Sequence, residues 1–307
     1  MSYKIRNCPL CGGQDFVPFL RARDFHYGNP GEYTLAKCSQ CSLGFLDPMY
    51  DEVELSKFYP QDYYAFTDRF SSNGISSHLR DVGRYLFGVR EHRTRDPKFD
   101  RPGRVLDVGC GSGWFLCKMR DLGWEVTGVE PSLAAARLGK TEQNLDIFAG
   151  ALPDAAFREE SFDYIRFNHS FEHVSQPNEI LVEVHRILAK EGKLMIGVPN
   201  SAGMNARLFG PFWFHLALPL HTFCYSTKTL SAMLEKHSFK IEKVVYNTEL
   251  TALLGSLQLF LNRNDTPLSS QGLVVRSRLA RFVCSRAASL QNLLHIADCI
   301  EITAVKQ

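Results

Sequence analysis

Apolar positions between residues 102 and 200 follow two alternating periods, one typical of buried strands and one of amphipathic helices. Short runs rich in Val, Ile, Leu and Phe alternate with segments whose apolar positions lie three and four apart. The predicted strands are 105–108, 125–130, 145–148, 161–168 and 193–200, and a helix is predicted over 178–190 before the last of them. Strands that alternate with helices in this way predict a mostly parallel sheet with helices on both faces, an α/β architecture.

The last third of the chain predicts two further strands, at 240–246 and 299–305, which would bring the sheet to seven. Ser226 is a good N-cap for a helix that extends to residue 237. An insertion at about 249–297 predicts amphipathic helices over 250–261 and 277–296. A substrate cap, a dimer surface and a membrane-surface contact would all suit these helices, and the sequence does not choose among them.

The first predicted strand runs into three glycines at alternate positions, Gly109, Gly111 and Gly113. Strand, glycine turn and helix form the opening unit of nucleotide-binding α/β domains. The glycines allow close approach of a ligand to the backbone, and the following helix offers free N–H groups. A dinucleotide fingerprint would need its third glycine at Trp114, so the spacing does not predict a nicotinamide cofactor.

Two acids flank this turn. Asp107 precedes it, where a carboxylate would repel a pyrophosphate but suits a ligand that carries a sulfonium and an amino group, such as S-adenosylmethionine. Glu130 ends the second strand about 20 residues later, where a carboxylate hydrogen-bonds ribose hydroxyls. An ordinary tight turn is the alternative interpretation of the glycines.

The strand–acid–glycine pattern resembles the first motif of the class I methyltransferases. The resemblance implies a Rossmann-like seven-stranded sheet and S-adenosylmethionine as the cofactor. It also makes Ala151 and Leu152, after the third strand, candidates for contact with the adenine. Asn168, at the end of the fourth strand, is a further cofactor-binding candidate because that strand end faces the ligand crevice.

Composition narrows the class of protein. A length of 307 residues allows one or two domains, and a formal charge of +2 implies no general attraction to nucleic acid or to membranes. No run of about 20 apolar residues predicts a membrane span. The nine cysteines include two Cys-x-x-Cys pairs, which favours a reducing compartment, and we therefore expect a cytoplasmic protein without a signal segment.

The two pairs predict a small zinc ribbon over residues 1–50. Its ligands would be Cys8, Cys11, Cys38 and Cys41. Four thiolates in a tetrahedral arrangement suit structural zinc and leave no open coordination position for catalysis. Free thiols and a redox pair are the alternatives.

Residues 51–101 predict an aromatic and helical linker. Its aromatic part, 58–66, would form a lid over the ligand or pack the ribbon against the main domain, and Tyr63 is the candidate for substrate contact. Its helical part, 74–101, is basic. A solvated face is the usual explanation, and contact with a phosphate-bearing substrate or RNA is the alternative.

Ionisable side chains follow the fourth strand at His169, Glu172 and His173. The chain resembles zinc-module sugar C-methyltransferases from residue 8 to about 200, and the resemblance implies acid–base chemistry at the Glu-His pair. Quinone-biosynthesis O-methyltransferases instead hold a metal with Glu-x-x-Glu-His, whose first acid is replaced here by His169. We expect His173 to be the base and Glu172 to orient it, unless the pair only caps the following turn.

The segment 212–226 combines bulky aromatic residues with two histidines. It resembles the His-x-x-x-Pro-x-His segment of glycan-linked class I methyltransferases, which makes Trp213, His215 and His221 candidates for an acceptor pocket. His221 is also a catalytic candidate.

The sequence therefore predicts a methyltransferase that acts on oxygen or carbon of a small molecule, sugar or glycan. An RNA methyltransferase and a non-catalytic binding protein on the same scaffold are the alternatives. The Asn/Asp-Pro-Pro-Tyr/Phe motif of enzymes that methylate base amines does not follow the fourth strand.

Overall fold

The computed structural model describes residues 2–25, 27–59, 99–263 and 272–307. Its strands are β1 (Ser2–Tyr3), β2 (Phe16–Ala22), β3 (Tyr33–Cys38), β4 (Gly44–Leu46), β5 (Met49–Tyr50), β6 (Arg104–Val108), β7 (Glu125–Glu130), β8 (Asp146–Ala149), β9 (Phe162–Asn168), β10 (Leu188–Pro199), β11 (Phe223–Cys224), β12 (Phe239–Asn247) and β13 (Cys299–Lys306). Its helices are α1 (Glu52–Ser56), α2 (Trp114–Asp121), α3 (Leu133–Gln143), α4 (Pro177–Ile187), α5 (Met204–Phe209), α6 (Thr227–Lys236), α7 (Leu250–Leu261), α8 (Leu273–Arg276) and α9 (Arg278–Leu293).

The central sheet has seven strands in the order β12-β13-β10-β9-β6-β7-β8. The pairs from β10 to β8 are parallel, whereas β13 runs antiparallel to both of its neighbours. The first strand of this sheet along the chain, β6, lies between β9 and β7. The chain therefore crosses from one side of β6 to the other between β8 and β9. This arrangement confirms the predicted α/β fold with a Rossmann-like seven-stranded sheet.

Successive residues of the central strands point into two separate apolar cores, one on each face of the sheet. Val105 of β6 and Tyr164 of β9 pack with residues of α2 and α3. Leu106 and Ile165, the next residue in each strand, pack into the larger core, to which α4 and α6 contribute. The two-residue period of the strands thus accounts for helices on both faces.

One predicted boundary is wrong. The pattern placed a helix over 178–190, but α4 ends at Ile187 and the sheet begins at the next residue. Leu188 has an extended backbone and pairs with Phe162 of β9. The ladder is then interrupted until Lys193, and Glu191 within that interruption has a φ of 60°. The apolar period continues through Leu188, but pairing with the neighbouring strand ends the helix.

The N-terminal region shares a sheet with the larger domain. Strands β2, β3 and β4 form an antiparallel sheet whose fourth member, at the edge beside β4, is β11. Phe45 of β4 pairs with Phe223 of β11, and both side chains belong to the larger core. This sheet therefore joins the cysteine-containing region to the histidine-containing segment that precedes β11.

The insertion between β12 and β13 is helical, as the sequence predicted. Helix α7 has the expected bounds, whereas the second predicted helix begins one residue later, at Arg278, and ends at Leu293. Among the described residues, no helix combines the length and the apolar character needed to cross a membrane. Tyr63 and the basic positions 80–98 lie outside the described residues.

Candidate active site

The glycine turn joins β6 to α2, and its three glycines have left-handed backbone angles. The values of φ are 76° at Gly109, 56° at Gly111 and 86° at Gly113. A Cβ atom at Gly109 would lie 2.5 Å from the Cβ of Ser170, and one at Gly113 would lie 2.2 Å from a methyl of Leu145. Both the backbone conformation and the close packing therefore require glycine at these two positions.

Glu130 ties the glycine turn to the loop after β7. The N–H of Gly111 donates to Oε2 of Glu130 at 2.9 Å, and the N–H of Ser132 donates to Oε1 at 2.8 Å. Burial raises the pKa of this carboxyl group. Because a carboxylate accepts about four hydrogen bonds, each oxygen keeps capacity for a ribose hydroxyl.

Asp107 forms a buried ion pair that the sequence analysis did not predict. Its Oδ1 lies 3.0 Å from Nη1 of Arg166 in β9, and both side chains are buried. The guanidinium also lies over the ring of Phe115, with 4.0 Å between the guanidinium carbon and the ring centroid. Arg166 therefore balances the negative charge of Asp107, for which the sequence predicts a cationic ligand as the partner. An arginine between apolar Ile165 and Phe167 in a predicted strand was the available signal.

The other cofactor candidates lie along the same sheet edge. Because β9, β6, β7 and β8 are adjacent and parallel, their carboxyl ends form one row. Asn168 ends β9, and Ala151 and Leu152 follow β8. Leu152 is buried, and Ala151 and Asn168 are half-buried.

The turn after β9 brings the predicted acid–base residues beside the glycine turn. The hydroxyl of Ser170 donates to the carbonyl of Val108 at 2.6 Å, and the N–H of His169 donates to the carbonyl of Gly197 at 2.8 Å. A 3-10 turn, Phe171–His173, follows. These bonds anchor the turn to the ends of β6 and β10, on either side of β9.

Glu172 is a buried carboxylate surrounded by histidines. Only 1% of its surface is exposed, and neither carboxylate oxygen has a hydrogen-bond partner in the part of the chain that the structure describes. Nδ1 of His169 lies 3.5 Å from Oε1 of Glu172, and Nε2 of His221 lies 3.9 Å from the same oxygen. Burial opposes the charge of His169, but the neighbouring carboxylate outweighs it and raises the pKa of that imidazole.

The pKa values of His173 and His221 are lowered, in contrast to that of His169. Burial lowers the pKa of His173, and burial together with the other histidines lowers the pKa of His221 well below the ordinary value. Nδ1 of His173 lies 3.0 Å from the carbonyl oxygen of Leu220 and 3.1 Å from the phenol oxygen of Tyr59. A carbonyl only accepts, so Nδ1 carries the proton and Nε2 of the neutral ring keeps a lone pair.

Tyr59 is a site residue that sequence reasoning missed. It lies in the aromatic stretch that we interpreted as a lid or a packing element, but Tyr63 was the residue singled out. Its ring centroid lies 6.0 Å from that of His173, in addition to the contact at Nδ1. The tyrosine-rich sequence gave no reason to prefer one tyrosine over another.

The aromatic segment before β11 places its side chains by buried polar contacts. The indole N–H of Trp213 donates to Asp298 at 2.8 Å. Nε2 of His215 lies 3.4 Å from Sγ of Cys299, and the ring of His215 stacks on that of His169 with 5.7 Å between centroids. His221 is thereby brought against His173, with 4.7 Å between their centroids.

Within the described ranges, three groups of side chains have the geometry to hold a metal. The four cysteines have all their sulfur atoms within 4.8 Å of one another, and the pairs Cys8–Cys41 and Cys11–Cys38 each lie 3.5 Å apart. Zinc–sulfur bonds of about 2.3 Å give sulfur separations close to these values. The other two groups are Glu172, His173 and His221, and His169, His215 and Cys299.

The family model described as a methyltransferase domain matches residues 79–244, more than half of the chain. The chain belongs to this methyltransferase family. The fold and the family together identify a class I S-adenosylmethionine-dependent methyltransferase domain.

Relatives of this methyltransferase match only part of its length. An uncharacterised methyltransferase of Staphylococcus carnosus is 32% identical over 146 residues, which cover 47% of this chain and 66% of that protein. A ubiquinone biosynthesis O-methyltransferase of Pseudomonas entomophila is 31% identical over 103 residues, which cover 32% and 44%. The chain thus spans about half to two thirds of the curated relatives that it matches.

A solved structure supports the fold. The putative methyltransferase crystallised with the Trm112 activator of Haloferax volcanii has a TM-score of 0.51 and 17% identity, and the match covers 74% of this chain and 92% of that one. At this identity the likeness concerns the fold of the methyltransferase alone.

Proposed function

We propose that the protein transfers a methyl group from S-adenosylmethionine to an oxygen or carbon atom of a small molecule, a sugar or a glycan. The observation that carries the proposal is the contact of Nδ1 of His173 with the carbonyl of Leu220, which leaves a lone pair on Nε2 of the neutral ring, in the turn that follows β9. An oxygen or carbon nucleophile must lose a proton, and a neutral imidazole can accept it. The similarity to a quinone-pathway O-methyltransferase supports an oxygen acceptor.

The cofactor supplies a sulfonium whose methyl group is ready for transfer. In our proposal the glycine turn receives the cofactor against its backbone, Glu130 binds the ribose hydroxyls, and Ala151 and Leu152 lie near the adenine. Asp107, already paired with Arg166, supports the turn and contributes its remaining acceptor capacity to the amino end. Holding the acceptor in line with the methyl group supplies much of the rate enhancement.

The charge distribution favours proton transfer over metal binding at Glu172. Burial disfavours the protonated form of the adjacent His169, but the neighbouring carboxylate outweighs burial and raises the pKa of this imidazole, which favours its positive charge. A metal cation at the same oxygens would be repelled by that charge. We therefore assign Glu172 and His169 to orienting and charge balance, His173 to proton removal, and His215, His221, Trp213 and Tyr63 to the acceptor pocket.

We further propose that the four cysteines bind structural zinc. Burial opposes ionisation of Cys38, but the backbone N–H groups of Cys41 and Gln40 outweigh it and lower the pKa of this thiol to about 7. Burial raises the pKa of Cys8 and Cys41, so the convergence of the four sulfur atoms carries the zinc proposal. A thiolate at neutral pH is the form that zinc binds. In this division, residues 1–50 form the zinc ribbon, 51–101 the linker, and 102–307 the methyltransferase domain with its insertion at about 249–297.

The zinc-bound thiolates and the cofactor suit a reducing, cytoplasmic location. A formal charge of +2 over 307 residues supports a small acceptor over a nucleic acid.

The test is a pH profile of methyl transfer in wild type and in His173→Ala, with labelled cofactor and a panel of phenolic and sugar acceptors. Because its pKa lies below 6.5, His173 stays neutral at neutral pH, so wild-type activity should fall only as the pH drops below that value. His173→Ala should lose about 10²–10⁴-fold in rate and lose this acid limb, with cofactor affinity kept.

The matched control is His237→Ala, at the end of α6, where Nδ1 lies 2.9 Å from the carbonyl oxygen of Met233. It should retain the wild-type rate and profile. A His173→Ala variant with an unchanged rate and acid limb would remove His173 as the base. Failure of calorimetric titration to detect S-adenosylmethionine binding by the wild type would remove the proposed function itself.

A further inference from the structure

Helix α9, in the insertion between β12 and β13, turns its most apolar side to solvent. Six exposed apolar residues of α9 and its C-cap recur at spacings of three, four and seven, so they form one stripe along the helix. They are Leu279, Phe282, Val283, Leu290, Leu293 and Leu294. The side of α9 that packs against the protein has small and polar residues instead. They are Cys284, Ser285, Ala288 and Gln291.

This is the reverse of an ordinary surface helix, whose apolar side faces the core. Leu279 and Leu293 are 73% and 75% exposed. Helices α7 and α8 pack with α9 and add exposed Phe260, Leu261 and Leu273. Exposed apolar patches of this kind mark interaction sites, so the stripe is suited to contact with a binding partner.

The charge of the same helices indicates the chemical nature of that binding partner. Residues 272–294 contain four arginines and no acidic residue. All four, Arg276, Arg278, Arg281 and Arg286, are exposed. Among the described residues, no carboxylate lies within ion-pair distance of Arg278, Arg281 or Arg286. Arg286 falls within the apolar stripe, and its guanidinium lies 5.3 Å from the ring centroid of Phe282.

Self-association would leave this charge uncompensated. In a two-fold dimer the stripe of one copy would face the same stripe of the other, and Arg286 would approach its own symmetry equivalent. With no acid in residues 272–294, nothing on these helices would balance two desolvated guanidinium groups. An anionic surface balances them without any change to the apolar contact.

We propose that α9 and the adjoining helices bind the anionic headgroup surface of a lipid bilayer. The 16-residue helix lies in the plane of the interface, with its leucines and Phe282 inserted at the boundary between headgroups and acyl chains. The flexible stems of the arginines let their guanidinium groups reach the lipid phosphates. This contact does not depend on the proposed methyl transfer.

The experiment measures cosedimentation of the full chain with two kinds of vesicle, pure phosphatidylcholine and phosphatidylcholine mixed with phosphatidylglycerol. The wild type should bind the mixed vesicles, and added salt should weaken the binding. Arg286→Gln should bind about fivefold more weakly. Leu290→Gln together with Leu293→Gln should weaken binding by about tenfold or more, because two apolar side chains no longer enter the bilayer.

The matched control is Leu122→Gln, which replaces a 58% exposed leucine at the end of α2. It should bind as the wild type does. Absence of wild-type binding to mixed vesicles would overturn the proposal. Equal binding to both vesicles, or a dimer in sedimentation equilibrium that Leu290→Gln and Leu293→Gln dissolve while vesicle binding persists unchanged, would also overturn it.

Discussion

The buried ion pair between Asp107 and Arg166 links two central strands just below the glycine turn. Asp107 lies in β6 and Arg166 in β9, and their charged atoms are 3.0 Å apart. A buried charge without its partner is far more destabilising than the pair is stabilising. The two residues therefore act as one unit, and the turn depends on both.

Arg166→Met should lower the free energy of unfolding by about 3–5 kcal/mol, because it removes the buried positive charge that pairs with Asp107. Adding Asp107→Asn to the same chain should restore most of this loss. Urea unfolding measures both. Lys193→Met, which breaks a partly exposed ion pair with Glu242, is the control and should change stability by about 1 kcal/mol or less. A loss of stability in Arg166→Met no larger than in this control would show that the two residues do not act as one unit.

At the scale of residues, the sequence predicted where the site residues lie along the chain better than it predicted which residues they contact. Glycine spacing located the turn, because a run of positive φ angles strongly favours glycine. It did not reveal Arg166 or Tyr59, since their roles depend on contacts with residues 59 and 114 positions away. Local patterns carry backbone requirements, whereas pairing of charges and hydrogen bonds is set by the folded topology.

At the scale of elements, strand β11 is the connection that the sequence did not predict. It has two residues, too short to show a period, and its partner β4 lies about 180 residues earlier in the chain. Long strands such as β7 and β9 were predicted to within a residue because their apolar period is visible locally. Through β11, the cysteine-containing sheet is attached directly to the segment that holds His215 and His221.

Cys38→Ser should lower the zinc content below one per chain and loosen the sheet from β2 to β11. A structural zinc site contributes on the order of 10 kcal/mol to folding of its module. Elemental analysis and hydrogen exchange measure the outcome, and exchange should accelerate at Phe223 and Cys224 as well as in β3. Cys284→Ala, a buried cysteine of α9 outside the cluster, is the control and should keep both zinc and protection. Full zinc content in Cys38→Ser would exclude the four-thiolate site.

At the scale of the whole molecule, the two regions share one apolar core. Leu35 and Phe45 of the N-terminal sheet belong to the same cluster as Ile165 and Ile302 of the central sheet. A ligand bound at the glycine turn should therefore stabilise the described regions together rather than one of them. Binding only to the folded chain raises the free energy of unfolding by RT ln(1 + [L]/Kd), about 2.7 kcal/mol at one hundred times Kd.

S-adenosylmethionine at one hundred times its Kd should accordingly raise the Tm of the wild type by roughly 4 °C, whereas NAD should leave it unchanged, because Trp114 stands where a dinucleotide fingerprint needs its third glycine. Gly109→Ala should lose the shift, since its Cβ would lie 2.5 Å from that of Ser170 and displace the turn. Gly210→Ala also places alanine at a positive φ, 53°, but no atom lies within 4 Å of the added Cβ. It should lower the starting Tm and retain the shift. An equal shift in Gly109→Ala would place the cofactor away from the turn, because strain alone is common to both variants.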